Sequence, residues 1–274
     1  IYAIQINNPQ IMLKHIIEGI KIAKKEKTND IGIFYRLYGV YYLIKDEFKT
    51  AEVLFKKSIE LFLEFQRVGD KNSISIAANY NYIGEIRNSE SDFETAMELF
   101  NKAISLCQNY EASCLSTFYI NAGKTSYLIG NFENMKKFFL KAEKIIKNFD
   151  SYWKNSVLNA FLALNAFLEE DNLKVIHYLK CAMSEGKIIN NPRDIGMVYF
   201  VEAIIVYSIE SKNIEKYEDI KKILIENSNF YYYKAINYLD STRDKAEIEY
   251  LKNFLNIKTS NTFDIIYQIY LITI

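Results

Sequence analysis

The strongest constraint on this chain is a motif that returns three times without gaps. It reads Tyr35-x2-Tyr38-Gly39-x8-Phe48-x2-Ala51-x3-Phe55, then Tyr80-x2-Ile83-Gly84-x8-Phe93-x2-Ala96-x3-Phe100, then Tyr119-x2-Ala122-Gly123-x8-Phe132-x2-Met135-x3-Phe139. The glycines stand 45 and 39 positions apart, within the range where a period means stacked supersecondary units. Each unit holds two apolar-periodic segments of helical length, such as 31–44 and 48–65, split by a polar turn such as Lys45-Asp46-Glu47. Neither segment can bury its apolar stripe alone, so each pair should fold back as an antiparallel hairpin and stack on the next. Gly39, Gly84, Gly123, Ala51 and Ala96 mark the expected close crossings. Tyr35, Tyr80, Tyr119, Phe55, Phe100 and Phe139 should fill the spaces between neighbouring hairpins.

Composition agrees with an all-α chain and excludes other classes. Half of the 274 residues are hydrophobic and 15% aromatic, while only 9 glycines and 2 prolines are present, which is core-rich and poor in turn punctuation. Lys+Arg and Asp+Glu are equal at 34 each, so no basic excess steers the chain toward phosphate backbones, and no direct nucleic-acid contact is expected. The densest apolar stretch, 198–209, carries Glu202 and falls short of the roughly 20 residues a bilayer requires, so no membrane contact is expected. No basic stretch followed by an apolar core stands at the start of these residues, so no signal peptide is expected and a cytoplasmic location is. The chain opens at Ile1 rather than Met, which raises the expectation of a preceding segment and of a larger parent protein.

The repeat pattern resembles the tetratricopeptide repeat (TPR), whose first helix carries an aromatic residue, then an apolar residue and glycine, and whose second carries Ala, Phe or Tyr, and Ala. The last of these positions are Ser58, Ala103 and Ala142 here. The usual Trp is replaced by Tyr, and the Pro that often ends the second helix is absent. The resemblance implies a right-handed superhelical solenoid of antiparallel helix pairs. The chain divides accordingly into a partial N-terminal repeat or capping helix (1–28), three well-matched repeats (29–150), two to three degenerate repeats (151–256) and a C-terminal tail or capping element (257–274). The fourth unit is placed on Ala163, Leu173 and Ile176, the fifth on Ala203, Ile214 and Tyr217, each with one or two extra turn residues. A sixth hairpin is placed over 229–255, and 262–274 reads as a further helix or a strand.

Candidate chemistry is sparse. Cys107, Cys114 and Cys181 form no C-x-x-C pair and read as buried thiols. His177 and Cys181 share a helical face, but two ligands make no metal site, and His15 with Glu18 does no better. No phosphate-binding glycine loop and no nucleophile elbow is present. No enzyme activity, cofactor or metal is expected. What remains is the surface of the first helices, which by resemblance to TPR arrays lines a concave groove for a protein or peptide ligand. That spacing selects Arg36 and Val40, Asn81 and Glu85, and Ile120 and Lys124, with Asn88, Asn121 and Tyr127 adjacent; the polar ones and Tyr127 are the candidate groove residues, since amides offer both donor and acceptor to a peptide backbone. The same positions later in the chain, Ala160, Leu164, Phe167, Phe200, Ile204 and Tyr207, read as an apolar surface that binds an apolar helix or peptide segment or packs against a further domain.

The stretches Tyr80-Asn81-Tyr82-Ile83-Gly84-Glu85-Ile86-Arg87 and Phe118-Tyr119-Ile120-Asn121-Ala122-Gly123 are similar to the TPR-type sensor regions of bacterial multidomain transcriptional activators. That resemblance implies a regulatory array attached to a DNA-binding or ATPase domain outside these residues, with homodimerisation open. Peptide-pheromone receptors of Gram-positive bacteria and free-standing TPR scaffolds are the alternatives.

Overall fold

The computed structural model describes residues 9–64, 72–107, 114–149, 155–189, 191–212, 215–239 and 246–249. Among them every regular element is helical: α1 (Pro9–Glu26), α2 (Asp30–Ile44), α3 (Phe48–Glu64), α4 (Asn72–Ser89), α5 (Phe93–Cys107), α6 (Cys114–Leu128), α7 (Phe132–Phe149), α8 (Asn155–Leu168), α9 (Asn172–Ile189), α10 (Pro192–Lys212), a 3-10 turn (Glu215–Tyr217), α11 (Glu218–Lys221) and α12 (Ser228–Leu239). Two compact units divide the chain, Ile1–Phe118 and Tyr119–Ile274, with the division inside α6. In the first, α2 packs on α3 and α4 on α5, with α1 against α2 and α3 against α4; in the second, α8 packs on α9 and α10 on α12.

The hairpin turn is one device used four times. Asp46, Ser91, Gly130 and Glu170 each adopt positive φ, between 58° and 72°, and each stands seven positions after Gly39, Gly84, Gly123 or Ala163. The next residue's N–H then reaches back to the carbonyl five positions earlier: Glu47 to Tyr42 (3.0 Å), Asp92 to Arg87 (2.9 Å), Asn131 to Ser126 (2.8 Å), Asp171 to Ala166 (2.9 Å). This left-handed closure satisfies the helix's last carbonyls. In three of the turns the same residue also caps the next helix. Asp92, Asn131 and Asp171 accept from the N–H groups of Thr95, Asn134 and Lys174 at 3.3, 3.0 and 3.1 Å.

This geometry corrects the phasing of the fourth unit. Its turn carries no extra residue: α9 begins nine positions after Ala163, as α3 does after Gly39. The inward positions are therefore Val175 and Leu179, both 0% exposed, whereas Leu173 is 82% exposed. In the fifth unit Ile214 lies outside the described residues, and Tyr217, 2% exposed, belongs to the short 3-10 turn. The partner of α10 is α12. Of the sixth hairpin only α12 and a helical segment at 246–249 are described, and 262–274 lies outside the described residues.

The glycines act as seats for phenylalanine rings. A Cβ at Gly39, Gly84 or Gly123 would stand 2.6, 2.7 or 2.8 Å from Cε1 of Phe55, Phe100 or Phe139, rings that are at most 1% exposed. Phe55 then stacks on Tyr82 of the next hairpin at 5.1 Å, and Phe139 on Phe161 at 5.2 Å. Phe55 and Phe139 thus fill seams between hairpins, as the pattern predicts. Two of the tyrosines act differently. Lys102 sits 4.2 Å over the Tyr80 ring and Lys141 5.3 Å over Tyr119, each pair within one hairpin. The departure from the usual Ala at Ser58 is used: its Oγ donates to the Gly32 carbonyl at 2.7 Å and accepts from Asn79 Nδ2 at 3.0 Å.

Candidate functional site

The 3.6-residue period places Asn81, Glu85 and Asn88 on one face of α4. They are 3%, 6% and 8% exposed. Asn81 Nδ2 donates to Glu85 Oε1 at 2.9 Å, so this polar row is internally connected. Arg36 on α2 is half-buried, and its Nη1 donates to the Ser75 carbonyl at 3.4 Å, tying α2 to α4. Burial pulls the Arg36 guanidinium below its ordinary range, opposed by nearby Tyr82 and Cys114.

In the second unit Asn121, Lys124 and Tyr127 lie on α6, again at 4%, 6% and 7% exposure. Lys124 Nζ stands 2.7 Å from Glu247 Oε1, with side chains 8% and 2% exposed. Tyr127 is core: its ring packs edge-on against Phe161 and Phe200 at 6.0 and 6.3 Å.

All the predicted groove residues except Arg36 are thus buried, and none of the described polar ones stands as an open surface group. The apolar surface expected later in the chain is corrected outright. Ala160, Leu164, Phe167, Phe200, Ile204 and Tyr207 are at most 7% exposed and form the core of the second unit. Phe161 against Phe200 (6.3 Å) and Phe167 against Tyr217 (5.2 Å) show the packing that covers them.

Two acidic residues that matter here escaped the groove spacing. Glu202 on α10 is 1% exposed, and among the described residues neither carboxyl oxygen has a hydrogen-bond partner. Burial pushes its pKa up to about 8, with Lys187 acting weakly in the opposite direction. As the only charged residue in an apolar run, it carried a signal. Glu247 carried none, because its partner lies far away in sequence. Among the described residues no group of three or more His, Cys, Asp or Glu side chains converges as a metal site, and no helix is long and apolar enough to cross a membrane.

No family model matches the chain, and no curated protein matches it in sequence. Among solved structures it is similar to BtubC (BKLC) from P. vanneervenii, at 11% identity and a TM-score of 0.58, with 92% of each chain covered. At that identity what is shared is the fold, over nearly the full length of both chains.

Proposed function

We propose that the chain is a TPR-type superhelical array that binds a peptide or a segment of another protein, and that it serves as the regulatory or sensor region of a cytoplasmic bacterial transcription regulator. The observation that carries this reading is the repeated use of buried polar side chains on first helices: Asn81, Glu85 and Asn88 in one unit, Asn121 and Lys124 in the other. A helix that only packs would spend such positions on apolar residues, because buried polar groups cost free energy unless partnered. Here donors and acceptors satisfy one another, as Asn81 does with Glu85, and a peptide backbone offers the same groups in exchange. Ligand engagement would then bias an attached output domain between two states through the pitch of the array.

The enclosure of these side chains favours a short linear peptide over a large folded partner, which is the pheromone-receptor variant of the same reading. The test is an array of synthetic linear octapeptides, with the tightest binders measured by calorimetry. Asn81→Ala and Asn121→Ala are expected to weaken binding at least about tenfold, the value of one to two lost buried hydrogen bonds. Substitution of exposed Lys137 should change nothing. Unchanged affinity in both asparagine variants removes the groove assignment. Small-angle scattering that is identical with and without bound peptide removes the switch.

A further inference from the structure

Where the end of α10 meets the connection between α11 and α12, the second unit carries a cavity of about 240 Å³. Its floor is apolar: Val206 and Ile209 of α10 and Leu224 of the connection line it at 7%, 1% and 3% exposure. Ile225 stands on the rim at 78% exposure, an aliphatic side chain left in water beside an apolar recess. Hydrogen bonds fix the walls on both sides. The N–H groups of Ile223 and Leu224 donate to the Ile220 carbonyl at 3.0 and 2.9 Å, which closes the end of α11. Glu210 of α10, also in the lining, accepts from the Ser228 N–H at 3.1 Å and from its Oγ at 2.6 Å. That carboxylate already occupies the first turn of α12 and offsets its positive end.

The rest of the rim carries one charge of each sign. Lys221 and Glu226 both line the cavity and are exposed, and among the described residues neither has an ion-pair partner. Asn227 stands beside them. Its Oδ1 accepts from the Phe230 N–H at 3.0 Å, which leaves Nδ2 as a further donor at the same rim.

We propose that this cavity binds a free branched aliphatic amino acid, of the leucine, isoleucine and valine class, as its zwitterion. The side chain lies on Val206, Ile209 and Leu224, the carboxylate meets Lys221, and the ammonium meets Glu226. Size supports a body of one residue, because the volume falls below the roughly 300–1,000 Å³ of pockets for larger ligands. The floor offers neither a hydroxyl nor an aromatic ring, so it selects an aliphatic side chain, and burial of that side chain supplies most of the binding. The two exposed charge pairs add little affinity each, and they set orientation. A residue inside a peptide presents neither charge, and a peptide C-terminus presents only the carboxylate. A rim with both signs therefore favours the free amino acid. Once bound, the ligand ties α10 to the 221–227 segment and stabilises that contact by mass action. The site shares no residue with the peptide groove, so it stands or falls apart from that reading.

The test titrates the 274-residue chain with L-leucine at neutral pH by saturation-transfer NMR and locates the site by hydrogen exchange. One saturable site with a Kd of about 1 mM or tighter is expected, with slowed exchange in peptides covering 206–227. Leucinamide, which lacks the carboxylate, and N-acetylleucine, which lacks the ammonium, should each bind about two- to fivefold more weakly. Alanine, which lacks most of the aliphatic side chain, should bind at least about tenfold more weakly. Lys221→Gln should erase the preference for leucine over leucinamide, and Glu226→Gln the preference over N-acetylleucine. Both positions are exposed, so neither substitution disturbs the core. Absence of saturation at about 10 mM leucine, or protection confined to other segments, overturns the proposal. N-acetylleucine binding as tightly as leucine would assign the cavity to a peptide C-terminus and overturns the amino-acid reading.

Discussion

If the helix glycines are ring seats, adding one methyl group at Gly84 should act oppositely to adding one at Gly186. Both are helical, so both gain up to about 1 kcal/mol of propensity on becoming alanine. At Gly186 an added Cβ would have nothing within 4 Å, and the gain should appear as measured stabilisation. At Gly84 the same atom would stand 2.7 Å from Cε1 and 2.9 Å from Cδ1 of Phe100, a ring that is 1% exposed. To restore ordinary contact the ring must retreat by roughly an ångström, and a close-packed core resists this at a cost of about 1–3 kcal/mol. Gly84→Ala should therefore be destabilising by about 0–2 kcal/mol, and less stable relative to its parent than Gly186→Ala by about 1–3 kcal/mol. Hydrogen exchange read by mass spectrometry reports each unit separately, so the comparison does not require the two to unfold together. The cause is isolated by a double-mutant cycle with Phe100→Leu, which removes the ring edge that the methyl would strike. A coupling of about 1 kcal/mol or more is expected. Equal stabilisation at Gly84 and Gly186, with no coupling to Phe100, would refute the seat.

Two further outcomes follow from the second unit. Burial holds the Glu202 carboxyl at a pKa of about 8 in the folded chain against an ordinary value of 4.5, so its neutral form contributes full stability below pH 4.5, and that contribution is lost as pH rises toward 8. At about 1.4 kcal/mol per pH unit the loss is on the order of 5 kcal/mol. Glu202→Gln should flatten the fall in Tm between pH 5 and 8, and an unchanged profile would show the carboxyl to be solvated. Lys124→Met should cost about 3–5 kcal/mol by leaving Glu247 buried without its counter-charge, while Lys124→Met with Glu247→Met should recover most of the loss. Urea unfolding checks this, and a single variant within about 0.5 kcal/mol of the parent would mean that the pair contributes only as an exposed pair does.

What the sequence revealed depended on whether a constraint had a residue type attached to it. Ring seats were legible because only glycine leaves room for Phe55, Phe100 and Phe139, so the chemistry recurs with the geometry. The left-handed turn recurs just as strictly, yet Asp46, Ser91, Gly130 and Glu170 share no chemistry, since one strained residue per turn costs little enough for several types to serve. Matching apolar letters therefore puts the fourth unit on Leu173, an exposed residue, whereas counting from Ala163 to the turn selects Val175 and Leu179.

The polar face exposes a different limit. Asn81, Glu85 and Lys124 read as residues lining an open groove, because helical periodicity tells which side chains share a face but not what covers that face. For Lys124 the cover is Glu247, whose separation in sequence no local pattern encodes. The residues selected for ligand binding are therefore already engaged in this state, and any ligand must offer at least as good a set of partners as it displaces. Binding is then an exchange rather than an addition. Loss of Glu247 should raise peptide affinity if the Lys124 pair competes with the ligand, and should leave it unchanged if the pair only stabilises the second unit. Calorimetry on Glu247→Gln with the array-selected peptides distinguishes the two, because glutamine keeps the shape and removes the charge.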